Sequence, residues 1–343
     1  MNDSSIAAPQ YLGFILTNRC SGSCGHCLYN CGPHRRDSLD IETIRASLRD
    51  LRALGFGGTR IHLGGGEPFL VFPLLVEAVA AVREMGFVLD FVETSGAWYE
   101  SSREAAEKLL ILKAAGLERI LVSVSPFHQS FVSPQKARAV LSLCNKFFGP
   151  ENVIVNNLAL LEDVERISPQ KTISFDRYVR SVGVAHTVTA LWQNSLPLHL
   201  AGRAAETMKP YLPRLPATSL EEPCERNILQ SGKWHIEAGG LVSTGYCCGL
   251  AYPVGKQLAD WYSGFSLADW PLTAMIVARG VHAFLEHAST EADFEPDPEG
   301  YVSACHACQD ARLALWRKGG YPELAPDGFY EELIRTKRGA RSG

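Results

Sequence analysis

The stretch YLGFILTNRCSGSCGHC, residues 11–27, joins a short apolar run to three closely spaced cysteines, Cys20, Cys24 and Cys27. An apolar run of this length predicts a buried strand, so the cysteines lie on the loop that follows it. In parallel α/β proteins, ligands collect at the carboxyl ends of strands. A structural zinc site normally has four protein ligands, and a four-iron cluster has four cysteines. Three cysteines therefore leave one iron of such a cluster with an open position for a small molecule.

The composition is that of an ordinary globular protein. Of 343 residues, 46% are hydrophobic and 20% are charged, and the net charge is −4; this balance argues against nucleic acid or an anionic membrane as the main partner. We find no apolar stretch long enough to span a membrane and no signal peptide, and we therefore expect a cytoplasmic protein. Ten cysteines are too sparse for a disulfide scaffold. In a reducing compartment, clustered cysteines indicate metal ligands.

Six apolar runs alternate with amphipathic stretches in the first two-thirds of the chain. The predicted strands are 11–17, 59–64, 87–94, 119–125, 152–161 and 182–192. Between them, Ser133 with Pro134 predicts a helix start, and Gly149 predicts the end of that helix. Six strand–helix units predict a parallel sheet with right-handed crossovers. Because these units span about 180 residues, short of the roughly 250 of a closed barrel, we predict an α/β fold with a partial, open (β/α)6 TIM-like barrel.

A glycine-rich turn, GGGEP at residues 64–68, follows the second predicted strand. Adjacent glycines let the backbone approach a ligand closely. Together with the C-x3-C-x2-C spacing after the first strand, this turn resembles the radical S-adenosylmethionine (radical SAM) enzymes. In that family a [4Fe–4S] cluster binds SAM at its vacant iron. An electron from the cluster cleaves SAM to methionine and a 5′-deoxyadenosyl radical, which abstracts a hydrogen atom from the substrate.

The resemblance implies SAM-binding roles for residues at the ends of several predicted strands. Gly65, Gly66 and Glu67 match the family's GGE motif, which binds the methionyl ammonium group. His26, just before the third cysteine, matches a position that contacts the adenine. Polar residues at the ends of strands three and four match positions that contact the SAM carboxylate and ribose hydroxyls; these are Thr94, Ser95, Ser123 and Ser125.

A second group of cysteines lies beyond residue 220: Cys224, Cys247, Cys248, Cys305 and Cys308. The C-x2-C pair has a metal-ligand spacing, and Cys224 with one member of the doublet can complete a four-ligand site. The region resembles the auxiliary-cluster domains called SPASM or, when shortened, twitch. It thereby implies a second, auxiliary [4Fe–4S] cluster on Cys224, Cys247, Cys305 and Cys308. Six residues between Gly240 and Cys247 depart from the family pattern, which leaves the choice between Cys247 and Cys248 open. A structural zinc ion with the same four ligands is the alternative.

The regular alternation of apolar runs and amphipathic stretches ends near residue 215, within the proline-rich stretch LPRLPATSLEEPC. We predict an N-terminal extension over 1–10, a radical SAM partial barrel over 11–212, a twitch/SPASM-like auxiliary-cluster domain over 213–325, and a basic C-terminal tail over 326–343. We find no internal repeat in the sequence.

Other residues are candidates for chemistry near the predicted mouth of the barrel. Glu93 at the end of strand three and His128 in the loop after strand four are the candidate catalytic residues. Arg203 is interpreted as a surface arginine rather than a carboxylate ligand. Cys31 and Cys144 are interpreted as non-ligands, and Cys144 as a core residue on a helix stripe.

These features favour an oxidoreductase-type radical SAM enzyme that oxidatively modifies a peptide or protein. A radical SAM dehydrogenase of a small molecule, such as a sugar or aminocyclitol, is the alternative. The resemblance also implies an electron donor such as flavodoxin or ferredoxin. A hypothesis of another class is a non-catalytic iron–sulfur or zinc scaffold. The presence of Glu67 together with the three-cysteine loop argues against that hypothesis.

Overall fold

The chain divides into two compact units. The computed structural model describes residues 6–156, 158–193, 198–220, 224–255 and 257–341. We call residues 11–25 with 31–198 the sheet unit, and residues 1–10, 26–30 and 199–343 the C-terminal unit. Among the described residues, no helix combines the length and the apolar character that a membrane crossing requires.

The sheet unit contains a parallel sheet. Its strands are β1 (Tyr11–Thr17), β2 (Arg60–Gly65), β3 (Val88–Thr94), β4 (Ile120–Ser123) and β5 (Val153–Asn156). They lie in the order β5-β4-β3-β2-β1, and each neighbouring pair is parallel. Parallel strands are covered on both faces, so near-continuous apolar runs suit them. All residues of β1 after Tyr11 are buried, as is the whole of β4. The fold is mixed α/β, consistent with a radical SAM partial barrel.

Helices connect the strands of the sheet unit. They are α1 (Ile41–Ala53), α2 (Phe72–Glu84), α3 (Ser102–Ala114), α4 (Pro134–Phe148), α5 (Leu158–Ile167), α6 (Phe175–Val182) and α7 (Val184–Trp192). Side-chain caps define their starts: Asp40 accepts from Thr43 N at 2.7 Å before α1, and Ser133 accepts from Lys136 N at 3.3 Å before α4. Gly149, with a φ of +85°, ends α4. The predicted bounds of this helix are therefore confirmed.

The last two predicted strands differ from the structure. Of the predicted strand 152–161, only residues 153–156 form a strand; residue 157 lies outside the described residues, and α5 begins at Leu158. The predicted strand 182–192 is helical, mostly within α7. Its buried residues, Thr187 and Leu191, lie four positions apart, which is the spacing of one helix face, although its β-branched composition favours a strand. The described part of the sheet unit thus has five parallel strands, and the predicted count of six is wrong.

The C-terminal unit combines a small antiparallel sheet with helices. The strands β6 (Lys233–Glu237), β7 (Leu241–Thr244) and β8 (Tyr252–Pro253) pair in sequence order. The helices are α8 (Arg203–Met208), α9 (Glu225–Ile228), α10 (Leu258–Ser263), α11 (Pro271–Ala292), α12 (Ala304–Lys318) and α13 (Asp327–Arg341). Trp234 packs edge-on against Trp261, with ring centroids 5.4 Å apart. This aromatic contact joins the small sheet to α10.

The predicted domain boundary near residue 215 lies inside the C-terminal unit, which begins its main segment at His199. Most of the predicted basic tail forms α13, where Tyr330 and Leu333 are buried. This part of the tail therefore packs into the unit. Residues 1–5 and 342–343 of the predicted terminal segments lie outside the described residues. The assignment of 213–325 to a SPASM/twitch-like domain remains a prediction.

Candidate functional site

The three-cysteine loop follows the carboxyl end of β1. Its base is held within the sheet unit, where Cys20 N donates to Gly32 O at 3.1 Å and Gly32 N donates to Asn18 O at 3.2 Å. Cys20 and Cys24 belong to the sheet unit, and Cys27 belongs to the C-terminal unit. None of the three cysteines forms a disulfide, and all three are partly exposed. The loop therefore offers three accessible soft ligands close together in the chain.

The glycine turn after β2 lies against the start of that loop. Gly66 N donates to Thr17 O at 2.7 Å, and Glu67 N donates to Arg19 O at 3.0 Å. Gly65 has a φ of +131°. A Cβ on Gly66 would overlap the carbonyl oxygen of Arg19. Glycine is therefore required at both positions, because a side chain would push Glu67 away from the cysteine loop.

Glu67 is a fully buried carboxylate, and its donors come from the turn that contains it and from the carboxyl end of β3. Its Oε1 accepts from Thr94 Oγ1 at 2.8 Å and from Phe69 N at 3.4 Å. Its Oε2 accepts from Ser95 Oγ at 2.7 Å and from Ser95 N at 3.1 Å. Burial raises the pKa of the Glu67 carboxyl, and the hydrogen bonds from Ser95 and Thr94 oppose that rise. Three predicted site residues thus share one hydrogen-bonded network.

Trp98 belongs to the same network and has no signal in the sequence that singles it out. Its Nε1 donates to Thr94 Oγ1 at 2.8 Å, and Gly96 N donates to the same oxygen at 3.0 Å. The indole stacks on Phe69, with ring centroids 4.0 Å apart and planes 2° from parallel. Since Thr94 Oγ1 accepts two bonds and donates one, its hydroxyl hydrogen is committed to Glu67.

Polar pairs also form at the ends of β3 and β4. Ser123 Oγ donates to Glu93 Oε1 at 2.9 Å. Ser125 N donates to His128 Nδ1 at 3.3 Å, and Ser125 Oγ lies 2.8 Å from the same nitrogen. Burial lowers the pKa of His128 from 6.5 to about 4, so the ring is neutral at pH 7. A neutral imidazole whose Nδ1 accepts carries its hydrogen on Nε2.

Two further side chains bear on this end of the sheet. A ring nitrogen of His128 and the Cys24 Sγ lie within 4.8 Å of each other. The Gln129 amide is fully buried, and neither its oxygen nor its nitrogen has a hydrogen-bond partner among the described residues. An amide with both groups unpaired can donate to and accept from a polar ligand. The predicted adenine-contacting residue, His26, is half-buried in segment 26–30 of the C-terminal unit.

The second cysteine set converges within the C-terminal unit. Cys224 precedes α9, Cys247 follows β7, and Cys305 and Cys308 lie in the first turns of α12. These four cysteines line one pocket, together with Arg312 and apolar side chains. Burial raises the pKa of Cys247 to about 12, with a contribution from Cys305 and Cys308, and the pKa of Cys224 rises for the same reasons. Thiols as close together as these favour metal binding, because a metal ion would neutralise the negative charge of their thiolates.

The two adjacent cysteines, Cys247 and Cys248, lie in different environments. Cys247 lies with the other three cysteines of the pocket. Cys248 is buried elsewhere in the C-terminal unit, where burial, Glu237 and Cys247 raise the pKa of its thiol. The spacing left the choice between the two cysteines open. The geometry groups Cys247 with the pocket.

Nitrogen donors lie beside the sulfur atoms of this pocket. Asn227 Nδ2 donates to Cys247 Sγ at 3.0 Å. His199 Nε2 lies 3.8 Å from Cys305 Sγ. The Arg312 side chain is hydrogen-bonded to Cys308, and its Nη1 donates to the carbonyl oxygen of Cys248 at 2.9 Å. Sequence reasoning missed all three donors; only Arg312, four positions after Cys308, had a periodicity that could have indicated it.

The pocket fits a closed four-cysteine metal centre. Four cysteines without disulfides in one pocket are the donor set of a [4Fe–4S] cluster and also of a structural zinc site. The Arg312 Nε–H is buried and has no hydrogen-bond partner among the described residues. The inorganic sulfides of an iron–sulfur cluster are anionic acceptors that would satisfy such a donor.

Another group of titratable side chains in the C-terminal unit is an ion-pair network. Ligand atoms of Glu206, His306 and Asp310 lie within 4.8 Å of one another. The Lys337 ammonium forms ion pairs with Glu206 and Asp310, the latter at 2.8 Å. Because a lysine already supplies the positive charge between these carboxylates, the group joins α8, α12 and α13 without a metal.

The remaining sequence interpretations can also be compared with the structure. Arg203 is 4% exposed, so its interpretation as a surface arginine is wrong. Its N donates to Cys27 O at 3.1 Å. Cys144 is fully buried in α4, as expected of a core residue. Cys31 is buried, and its thiol donates to Asn18 Oδ1 at 3.4 Å.

Residues 14–163 match the family model described as the Radical SAM superfamily. The match contains both motifs of the site, the C-x3-C-x2-C loop and the GGE turn. This segment of the chain is therefore similar to the Radical SAM superfamily. Members of this superfamily are enzymes, and the family implies SAM and a [4Fe–4S] cluster as cofactors.

Several solved structures resemble this chain at low sequence identity. BtrN in complex with AdoMet and 2-DOIA is 14% identical, with a TM-score of 0.47, over 80% of this chain and 90% of that one. Native anSMEcpe with bound AdoMet is 10% identical, with a TM-score of 0.42, over 98% and 100%. Coproporphyrinogen III oxidase (HemN) from Escherichia coli, a radical SAM enzyme, is 12% identical, with a TM-score of 0.35, over 91% and 90%. No curated protein sequence matches the chain.

Proposed function

We propose that this protein is a radical SAM enzyme that reductively cleaves SAM and abstracts a hydrogen atom from a peptide or protein, leading to its oxidative modification. The observation that carries the proposal is the position of Glu67. This buried carboxylate is held next to the start of the three-cysteine loop by the backbone bond from Glu67 N to Arg19 O. A buried carboxylate with fixed partners suits the ammonium group of a ligand.

Each predicted SAM-binding residue then has a definite part. Cys20, Cys24 and Cys27 hold the cluster, which when bound supplies the electron for SAM cleavage. Glu67 accepts the methionyl ammonium, and the two preceding glycines let the ligand approach the backbone. The hydroxyls of Thr94 and Ser95 orient the carboxylate through their bonds to it. His26, Ser123 and Ser125 are assigned to the nucleoside.

Glu93 and His128 are assigned to the substrate side of the same sheet end. The neutral ring of His128 binds through a hydrogen bond rather than through charge, since burial lowers its pKa to about 4. Glu93 is oriented by the donation from Ser123. Its carboxylate can accept from a polar group of the substrate or take up the proton that leaves the substrate.

The four-cysteine pocket is assigned to an auxiliary [4Fe–4S] cluster in a twitch-like domain. Its ligands are Cys224, Cys247, Cys305 and Cys308. Substrate oxidation by hydrogen abstraction leaves one further electron to be removed, and a buried redox centre in the same chain can accept it. This part of the proposal is supported by the convergence of the four thiols and by the donors beside them.

The test is anaerobic release of 5′-deoxyadenosine from SAM by the iron-reconstituted chain with a strong chemical reductant. The protein is assayed alone, with a peptide fraction and with a small-molecule fraction of cell extract. Cys27→Ala should abolish the product, whereas Cys144→Ala, which removes a core thiol, should retain it. Stimulation by the peptide fraction supports the proposed substrate class, and stimulation by the other fraction alone favours the small-molecule dehydrogenase.

Two other outcomes would overturn the proposal. The first is iron-loaded protein that yields no 5′-deoxyadenosine under any condition. The second is zinc in both cysteine sets after expression and purification without added metal. Either result would leave the non-catalytic scaffold as the better hypothesis.

A further inference from the structure

We infer that Arg312, with Asn227 and His199, tunes the four-cysteine centre to accept an electron by raising its reduction potential. The inference rests on the proposed function, since it assumes that the pocket holds an iron–sulfur cluster. It concerns three side chains outside the ligand set, all within the C-terminal unit.

The helix α12 presents the cation and two of the thiols together. Cys308 and Arg312 are four positions apart and therefore share one face of the helix. The Arg312 side chain is only 4% exposed. Its Nη1 donates to Cys248 O at 2.9 Å, and the side chain also bonds to the Cys308 thiol. The guanidinium is thus fixed beside the pocket by its own hydrogen bonds.

The charge of Arg312 has no carboxylate partner in ion-pair range within the described part of the chain. A buried cation without an anion is costly, so such an arginine indicates an anionic occupant nearby. The Arg312 side chain lines the pocket together with Cys247, Cys305 and Cys308. The unpaired Nε–H supplies one more donor toward an anion. The arginine is therefore the counter-charge of the centre.

The two other donors act on different sulfur atoms. Asn227 Nδ2 donates to Cys247 Sγ at 3.0 Å, while Asn227 Oδ1 accepts from Tyr246 N at 3.2 Å, which fixes the orientation of the amide. His199 Nε2 lies 3.8 Å from Cys305 Sγ. Together with Arg312, these residues place side-chain nitrogen atoms beside three of the four cysteine sulfurs.

Hydrogen bonds to sulfur and a nearby positive charge stabilise the reduced form of an iron–sulfur cluster more than the oxidised form, because reduction adds one negative charge. The arrangement therefore favours electron uptake. In the proposed reaction the C–H bond of the substrate breaks, and its hydrogen atom joins the 5′-deoxyadenosyl group. A cluster held by Cys224, Cys247, Cys305 and Cys308 would take up the electron that the substrate radical gives up. Glu93 would take up its proton, which leaves a closed-shell product.

The test is the midpoint potential of the centre, measured by titration monitored with electron paramagnetic resonance. The full chain carrying Cys20→Ala, Cys24→Ala and Cys27→Ala isolates the signal of the four-cysteine set. In this background Arg312→Met should lower the equilibrium constant for reduction at least tenfold, which corresponds to about 59 mV for a one-electron couple. Arg312→Lys, which keeps the charge, should recover part of that loss.

Two matched variants complete the design. Asn227→Asp keeps the oxygen that accepts from Tyr246 N but replaces the N–H donor with a negative charge, so it should also lower the potential. Lys318→Met removes a positive charge from the same helix at an exposed ion pair with Glu291. It should leave the potential unchanged, because solvent screens that charge.

An iron-loaded centre whose potential is the same in the parent, Arg312→Met and Asn227→Asp would overturn the inference and leave the proposed SAM cleavage standing. If Arg312→Met fails to bind iron, unchanged potentials in Arg312→Lys and Asn227→Asp overturn it equally. Zinc in the pocket, detected by metal analysis before any titration, would also overturn it. The proposed function itself is tested by a separate measurement. It fails if the chain with all ten cysteines produces no 5′-deoxyadenosine.

Discussion

The two cysteine sets differ in how the fold brings their ligands together. The first lies on one loop, between Cys20 and Cys27. The second is drawn from the start of α9, the turn after β7 and the first turns of α12. A set on one loop depends on local backbone conformation, whereas a set drawn from three elements depends on the packing of the C-terminal unit. We therefore expect loosening of that unit to affect the second set first.

The charges placed near the two sets are also opposite. Glu67, a buried carboxylate, lies beside the start of the first loop, and Arg312, a buried cation, lines the second pocket. A carboxylate suits a ligand that brings a positive group, such as an ammonium. A cation suits a centre whose thiolates and sulfides are negative. The proposed function, with an exchangeable ligand at the first site and a permanent anionic centre at the second, would account for this contrast.

The largest expected effect comes from removing one cysteine of the first set, which should leave the second set intact. Cys24→Ala should reduce 5′-deoxyadenosine formation to background, because the loop then has two thiols. The four-cysteine pocket should keep its metal, so the iron content should fall from about eight to about four per chain. Cys31→Ala is the matched control, since it removes a buried thiol that follows the loop. Equal loss of activity in Cys31→Ala would show that the first set has a fourth ligand and would break the comparison.

The cysteine doublet gives the next largest effect. Cys247→Ala should remove the four-cysteine centre and about half of the iron, because its thiol lies in the pocket. Cys248→Ala should keep the iron, because its thiol is buried outside the set of residues that line the pocket. Iron analysis with visible absorption spectroscopy distinguishes the two. Loss of iron in Cys248→Ala with retention in Cys247→Ala would reverse the assignment.

The same contrast explains which structural features could be predicted from the sequence. The strand over 11–17 and the GGE turn are local patterns, and the structure has β1 at Tyr11–Thr17 and Gly65 at the end of β2. Near-continuous apolar runs identify strands that a parallel sheet covers on both faces. The run 182–192 has a similar composition but forms α7. A single window of β-branched residues does not show whether strand partners exist. Tertiary packing therefore determines the secondary structure of that segment.

The donors around the sites were less accessible to sequence reasoning. Asn227 lies twenty positions from Cys247, the sulfur to which it donates, and only the turn after β7 brings them together. Trp98 bonds to Thr94 through an indole that the sequence suggests only as packing. The choice within the doublet depends on where the backbone turns after β7. Partners of this kind follow from tertiary contacts rather than from spacing.

A pair of glycine variants tests whether the first site depends on the local backbone conformation of the glycine turn. Gly66→Ala should destabilise the protein by about 3 kcal/mol and abolish SAM cleavage, because the new Cβ would overlap the Arg19 carbonyl and displace Glu67. Gly64→Ala should cost less than about 1 kcal/mol, since its Cβ would come no closer than 3.6 Å to its nearest neighbour, Glu93 Oε2. Denaturant unfolding of the metal-free chain and the SAM assay report both effects. Equal stabilities would argue against the close approach.

The smallest expected effect concerns the sheet that carries the first site. Burial lowers the pKa of His62, in β2, from 6.5 to about 4. A histidine whose pKa is lower in the folded chain than in the unfolded chain stabilises the fold above pH 6.5. That contribution is lost as the pH falls toward 4. Between pH 7.5 and pH 5 the loss amounts to about 2 kcal/mol.

His62→Phe tests this contribution, because phenylalanine keeps a ring stacked on Phe91 but cannot take up a proton. The free energy of unfolding of the variant should fall by about 2 kcal/mol less than that of the parent between pH 7.5 and pH 5. Hydrogen exchange at pH 5 should show faster opening of the sheet unit in the parent than in the variant. Identical pH dependence in the two proteins would mean that His62 is not held neutral by burial.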